Sequence, residues 1–196
     1  METKTPIQFS NNKWVLLFKK FIHTKLGAKL AFYFGLKGFN RIGVVHTSAL
    51  TGKQKFIGFA YNSRVDKGGD LIASLITGAA QNSISTPLPP KYIALSTASL
   101  TPAHIDTTLA SETSATGLAR ALGTQGSYVT PTVLDGACSY TVTKTFTNTS
   151  GGAVTIVSAA LFDAASTGNL FVEANLASSA VMANNDTLAI TWTVNL

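Results

Sequence analysis

The end of the chain alternates without a break. Leu188, Ile190, Trp192, Val194 and Leu196 interleave with Thr187, Ala189, Thr191, Thr193 and Asn195. That period of two predicts a strand with one buried and one wetter face. Six further stretches between 91 and 196 read as short strands separated by turn signals: "KYIALST", "GLARAL", "SYVTPTV", "SYTVTKTFTNT", "AVTIVSAALFD" and "NLFVEANL". A hairpin turn is expected at Gly151 and Gly152 in "TFTNTSGGAVTI". About seven strands of this kind predict an antiparallel sandwich or small barrel. Its threonine-rich outer positions suit strands whose second face is wet or meets another subunit.

The first third follows other periods. In "KWVLLFKKFIHTK", Trp14, Leu17, Phe18 and Phe21 fall on one helical face while Lys19, Lys20 and His23 fall opposite. A short amphipathic helix is expected there, capped by Asn11 or Asn12. Leu30, Phe32, Phe34 and Leu36 alternate with smaller or polar residues and suggest a strand. "RIGVVHTSALTGKQKFIGFAYNSR" predicts a hairpin turning near Thr51, Gly52 and Lys53. "VDKGGDLIASLITG" predicts a helix with Asp66 as cap, Leu71, Ile72, Leu75 and Ile76 as its apolar face, and Gly78 as its stop. The Pro87, Pro89 and Pro90 linker that follows excludes a helix. The expected organisation is therefore a basic, aromatic α+β anchoring segment over 1–63, a helix and Pro-rich linker over 64–90, and an antiparallel β-sandwich over 91–196. The fold class is mainly β, with the sandwich of jelly-roll or immunoglobulin-like kind.

Charge sharpens that division. The net +6 combines a balance of 12 − 2 = +10 over residues 1–67 with 3 − 7 = −4 over 68–196, and eight of the eleven Phe lie in the first part. Two segments with different neighbours are implied. No apolar run approaches the roughly 18 residues of a membrane span, and Trp14 to Phe18 is too short for a signal-peptide core. Cys138 is the single cysteine, which excludes an intramolecular disulfide and favours a small buried hydrophobe. Synthesis in a cytoplasm is expected. The glycosylation-type triplets at Asn148 and Asn185 carry little meaning without a secretion signal.

Chemistry is sparse. His23, His46 and His104 stand far apart, with no metal-ligand spacing among them, and no nucleophile elbow, phosphate loop or dinucleotide fingerprint occurs. His104 and Asp106 form the nearest approach to an acid–base pair, and a turn or helix cap is the simpler reading of "TPAHIDTT". No catalytic residue, metal site or cofactor is expected. Binding remains. The basic aromatic segment could meet nucleic-acid phosphates or a membrane surface, but an acidic protein partner or a small local core suits it better.

Several stretches, in order, resemble a module of tailed-bacteriophage structural proteins: "RVDKGGDLIASLITG", "PPKYIALSTASLTPAHIDTTLASE", "GLARAL", "SAALFDAASTGNLFVEANL" and "DTLAITWTVNL". The resemblance spans about Arg64 to Leu196. It implies a non-enzymatic virion component, tail-fibre-like or a head, neck or tail accessory protein, whose partners are other capsid, connector or tail proteins. Residues 1–63 lie outside the resemblance. The expected role is a capsid decoration, neck or tail accessory protein of the virion, in a closed homo-oligomer, anchored through Trp14, Phe18, Lys19, Lys20, Phe21 and Arg41. A receptor- or carbohydrate-binding tail module and a nucleic-acid-binding protein are the rival expectations.

Overall fold

A computed structural model describes residues 39–63, 65–77, 88–129 and 138–195. The expected helix at 13–25 and the expected strand at 30–36 lie outside these residues, as do most of the Pro-rich linker and the end of "SYVTPTV". In chain order the described elements are β1 (Phe39–Thr47), β2 (Gln54–Ser63), α1 (Asp66–Thr77), β3 (Tyr92–Ser96), β4 (Ala121–Leu122), β5 (Thr124–Gln125), β6 (Ser139–Thr147), β7 (Val154–Phe162), β8 (Leu170–Met182) and β9 (Thr187–Asn195). None of the described helices is long and apolar enough to cross a membrane.

The strands form two antiparallel sheets, as the alternation and turn spacing predict. One has five strands in the order β2-β1-β9-β6-β5, the other four in the order β4-β3-β7-β8. In β9 the alternation is realised residue by residue: Leu188, Ile190, Trp192 and Val194 are buried, and the intervening threonines are half-buried. From β6 Val142 and Phe146 join them, and Ile42 and Val44 do so from β1. The facing sheet adds Ile93 and Leu95 from β3, Ile156 and Leu161 from β7, and Val172, Ala174 and Leu176 from β8. Each large side chain fully buried in this way contributes roughly 1.5–3 kcal/mol.

Of the two hairpins expected, the one at Gly151 and Gly152 does not form, because β6 pairs with β9 and β7 with β3 and β8. That turn carries the chain from one sheet to the other, whereas the hairpin around Gly52 is present. Ser48 N–H donates to the Lys53 carbonyl (3.0 Å) and Gly52 N–H to the Ser48 carbonyl (2.8 Å), closing the turn between β1 and β2. Its place is informative. β1 pairs along its length with β9, from Asn40 opposite Val194 to Thr47 opposite Thr187. Residues 39–63, which composition groups with the anchor, thus complete the sandwich sheet, and the sheet runs across the boundary expected at residue 63. A ladder explains this: Ile42 and Val44 present an apolar face that a two-stranded hairpin cannot bury alone.

α1 starts at Asp66 as expected and lies on β8, burying Leu71. Gly68 permits the approach, because a Cβ there would sit 2.3 Å from the Phe171 carbonyl oxygen. Residues 97–112 form a strap over the outer face of β3 and β7. Beneath it a second cluster gathers Val65, Ala94, Leu100, Leu109, Ala160, Phe162 and Leu170. The four-stranded sheet is therefore apolar on both faces.

Candidate interaction surface

Of the anchor residues expected from sequence, Trp14, Phe18, Lys19, Lys20 and Phe21 lie outside the described residues. Arg41 is described, and it sits on the outer face of the five-stranded sheet. β1 places Arg41 opposite Tyr61 of β2 and Thr193 of β9. Its guanidinium carbon lies 4.3 Å from the centroid of the Phe59 ring. Phe59 meets Phe56 edge-on, with centroids 5.0 Å apart and planes at 70°. The arrangement depends on Gly43, directly opposite Phe59: a Cβ there would come within 2.9 Å of the ring. Phe56 and Phe59 stay 54% and 44% exposed, forming an open cation–aromatic platform.

Beside the platform the same face becomes a field of hydroxyls. β9 supplies Thr191 and Thr193, and β6 supplies Thr141, Thr143 and Thr145, with Thr143 and Thr191 joined across the strands by a 3.1 Å hydrogen bond. The field ends in an open trough of about 520 Å³ along β6, lined by Leu122, Thr124, Gly126, Thr141, Thr143, Thr145 and Lys144. The five strands carry Arg41, Lys55 and Lys144 and no Asp or Glu. Lys55, opposite His46, and Lys144, between Val142 and Phe146, share the inward parity of their strands. This face therefore offers the Arg41 cation, rings and hydroxyls to a partner, with no strand carboxylate to repel an acidic one.

The other sheet disposes of the histidine and acids that sequence singled out. His104 and Asp106 are not paired with one another. His104 Nδ1 lies 2.9 Å from Asp66 at the start of α1, both side chains being largely exposed. Asp106 accepts the Ala103 N–H, a local turn cap of the kind expected, and also meets Glu173. Sequence reasoning passed over Glu173, yet it is buried in β8. Burial, and secondarily the Asp106 carboxyl, push its carboxyl up to about 8. A lone acid inside the apolar run "LFVEANL" is the signal that could have found it. Nearby, Arg120 grips Glu112 with two hydrogen bonds (2.9 and 2.6 Å) while its guanidinium carbon lies 3.5 Å from the centroid of the Phe162 ring, which holds the far end of the strap.

Polar anchors also order one end of the sandwich. Asp186 receives the Ala49 and Ala183 N–H groups and lies 2.8 Å from His46 Nε2. Burial alone would raise its carboxyl, but those N–H groups and His46 hold it below the usual range. Asn148 is fully buried, and its amide donates to the Gly152 and Met182 carbonyls, so this glycosylation-type triplet is a structural tie.

Residues 70–193 match the family described as Podophage GP4 fiber I protein gp80. No curated protein sequence matches the chain. The match takes in most of α1, the strap and every strand from β3 to most of β9, which is well over half of the sequence. The chain therefore belongs to this podophage fibre family and is a structural component of a phage virion.

Proposed function

We propose that the chain is fixed to the particle through its basic N-terminal segment, as a capsid-decoration, neck or tail accessory protein, and that it packs or presents its β-sandwich in several copies. The observation that carries this is the continuity of charge and aromatics: the +10 segment runs into β1 and β2, where Arg41 and Phe59 form an open platform on a sheet with no carboxylate in its strands. The partner is then an acidic surface of another virion protein, with charge guiding the encounter and rings supplying buried area. Trp14, Phe18 and Phe21 serve as apolar contacts in this reading, and Lys19, Lys20 and Arg41 as cationic ones.

The test is made on phage. Particles carrying Lys19→Glu, Lys20→Glu and Arg41→Glu together should contain far fewer copies of the chain per major capsid protein, measured by quantitative mass spectrometry of purified virions. An unchanged copy number would sink the anchoring role. A second reading, glycan binding, is favoured by the threonine-lined trough along β6 and the exposed rings of β2, which lie on one sheet face with β9 and β1 between them. In that case the purified chain binds a glycan array, and Thr143→Val with Phe59→Ala abolishes the signal without changing copy number.

A further inference from the structure

The apolar face expected for α1 is only half used. Leu71 is buried and Ile72 half-buried, whereas Leu75 and Ile76 stay 42% and 79% exposed. Away from the buried positions Gly68, Leu71 and Ser74, the residues Asp66, Gly69, Ala73 and Ile76 share an outer stripe at helical spacing, with Asp70 one turn on from Asp66. A Cβ at Gly69 would meet nothing within 4 Å, so the middle of that stripe is open. The strap extends it sideways at the first turn. Asp66 N–H donates to the His104 carbonyl (2.6 Å), and the Asp66 carboxylate lies 2.9 Å from His104 Nδ1. Ile105, next along, is 69% exposed. Its support is firm: Asn175 takes both main-chain groups of Leu100 (2.7 and 2.8 Å), and Ser96 Oγ donates to the Ala110 carbonyl (2.6 Å).

Apolar side chains flanked by acids suit a basic, apolar occupant, and the chain carries one. Between Glu2 and Asp66 there is no acid, while Lys13, Lys19, Lys20 and Lys25 accompany Trp14, Phe18 and Phe21. The acids further on are mostly engaged inside the fold. Asp163 is held by Asn169, Glu112 by Arg120 and Asp186 by His46 and main-chain N–H groups, and Glu173 is buried. Asp66, whose side chain is 67% exposed, and Asp70 are the first acids met along the chain, and Lys67 offsets them only in part. Position agrees with charge. Phe39, where the N-terminal segment joins β1, pairs with Ser63, and from there to Asp66 is at most about 11 Å. The segment therefore leaves the sandwich beside α1. Lengths agree too: Asp66 to Ile76 covers roughly 15 Å of helix, and residues 14–25, in the helix their periodicity predicts, cover roughly 17 Å.

We propose that in the unassembled chain residues 14–25 rest on the outer stripe of α1, with Trp14, Phe18 and Phe21 against Ile76 and Ile105 and the lysines against Asp66 and Asp70. The contact parks the side chains that meet the acidic partner in the particle, so assembly exchanges an internal acidic surface for an external one. Without it, the basic aromatic segment of a free chain would be open to any anion it met before the particle. That purpose rests on the anchoring proposed above, whereas the contact itself is a property of the isolated chain.

The test is made on the purified full chain. A carbodiimide joins lysine to carboxylate only where the two touch, and peptide mapping at low salt should find Lys19, Lys20 or Lys25 joined to Asp66 or Asp70. In a mixture of isotopically light and heavy chains, each link should lie within one chain. The yield should fall about tenfold between about 0.05 M and about 0.5 M salt. It should fall comparably in Phe18→Ser and in Ile76→Ser, and the exposure of Ile76 makes the second variant safe for the fold. Absence of these links, links only between light and heavy chains, or a yield unchanged by both substitutions would overturn the proposal. Failure of the anchoring would show separately, as an unchanged copy number in virions carrying the Lys19, Lys20 and Arg41 charge reversals, whatever links the free chain forms.

Discussion

The two sheets share one core and treat their other faces in opposite ways. The four-stranded sheet is roofed by the strap, so β3 and β7 bury residues on both sides: Ile93 and Leu95 into the main core, Ala94, Ala160 and Phe162 under the strap. Among the described residues nothing covers the outside of the five-stranded sheet, where β9 and β6 present threonines between their core positions. The apolar burial of the described residues is thus concentrated in the interior and beneath the roof, and little of it lies on the threonine face.

Four measurements break or sharpen this contrast. The largest effect is expected at the shared core, where Trp192→Ala should cost about 3–5 kcal/mol in chemical denaturation. A loss under about 1 kcal/mol would mean that the sheets do not depend on a common interior. Next comes pH, which separates the roofed sheet from the bare one. Glu173 is raised in the folded chain, so between the ordinary carboxylate range and about pH 8 the native state holds a proton that the unfolded chain has released. Stability should accordingly fall with rising pH across that window, by up to about 4 kcal/mol, and level off above it. Asp186 is shifted the other way, so its contribution is lost only as pH falls through and below the usual carboxylate range. Denaturation curves at pH 5 and pH 8 for wild type and Glu173→Gln give the difference; equal slopes in the two proteins would remove Glu173 from the account.

A smaller effect is expected at the edge of the roof. Glu112→Ala leaves the largely buried Arg120 guanidinium without its two-bond partner and should cost about 1–3 kcal/mol, with protection lost first in the strap. The smallest is expected on the bare face, where Thr191→Ala or Thr143→Ala should change stability by less than about 0.5 kcal/mol. A cost above 1 kcal/mol in the isolated chain would show that the threonine face is part of the fold's own stabilisation and not reserved for partners.

This contrast also decides what could be read from sequence. The unbroken period of two in β9 is the imprint of a sheet with one bare face, and it gave both the strand and the direction of its side chains. The hairpin around Gly52 and the helix from Asp66 were legible because each is set by local residue chemistry. The glycines at 151 and 152, by contrast, mark a crossing from one sheet to the other, which a local turn signal cannot tell from a hairpin. "GLARAL" was legible only in part. It reads as a strand, but only Ala121–Leu122 pair, while Leu118 enters the core and Arg120 turns to Glu112. The roof was not legible, because "LTPAHIDTTLASE" has no period and its ties reach Asn175 and Glu173 some seventy residues away. The same limit hid the pairing of β1 with β9. Prolines between 87 and 90 mark a stiff connection, and nothing in a local pattern says whether the chain beyond such a connection returns to the same sheet.

The pairing of Asn40 with Val194 constrains the order of events during folding. β9 is the middle strand of its sheet, flanked by β1 and β6, so the hairpin completed at Ser63 cannot find its neighbour until the chain has been synthesised through Asn195. Long-range closure of this kind is slow, and it leaves a ready-made strand edge waiting in the nascent chain. The irregular register opposite Val44 and Val45 lies on the other side of β1, where Ile57 is the extra residue of β2. A bulge of this kind increases the twist of the waiting hairpin, which makes its edge a poorer template for pairing with another copy.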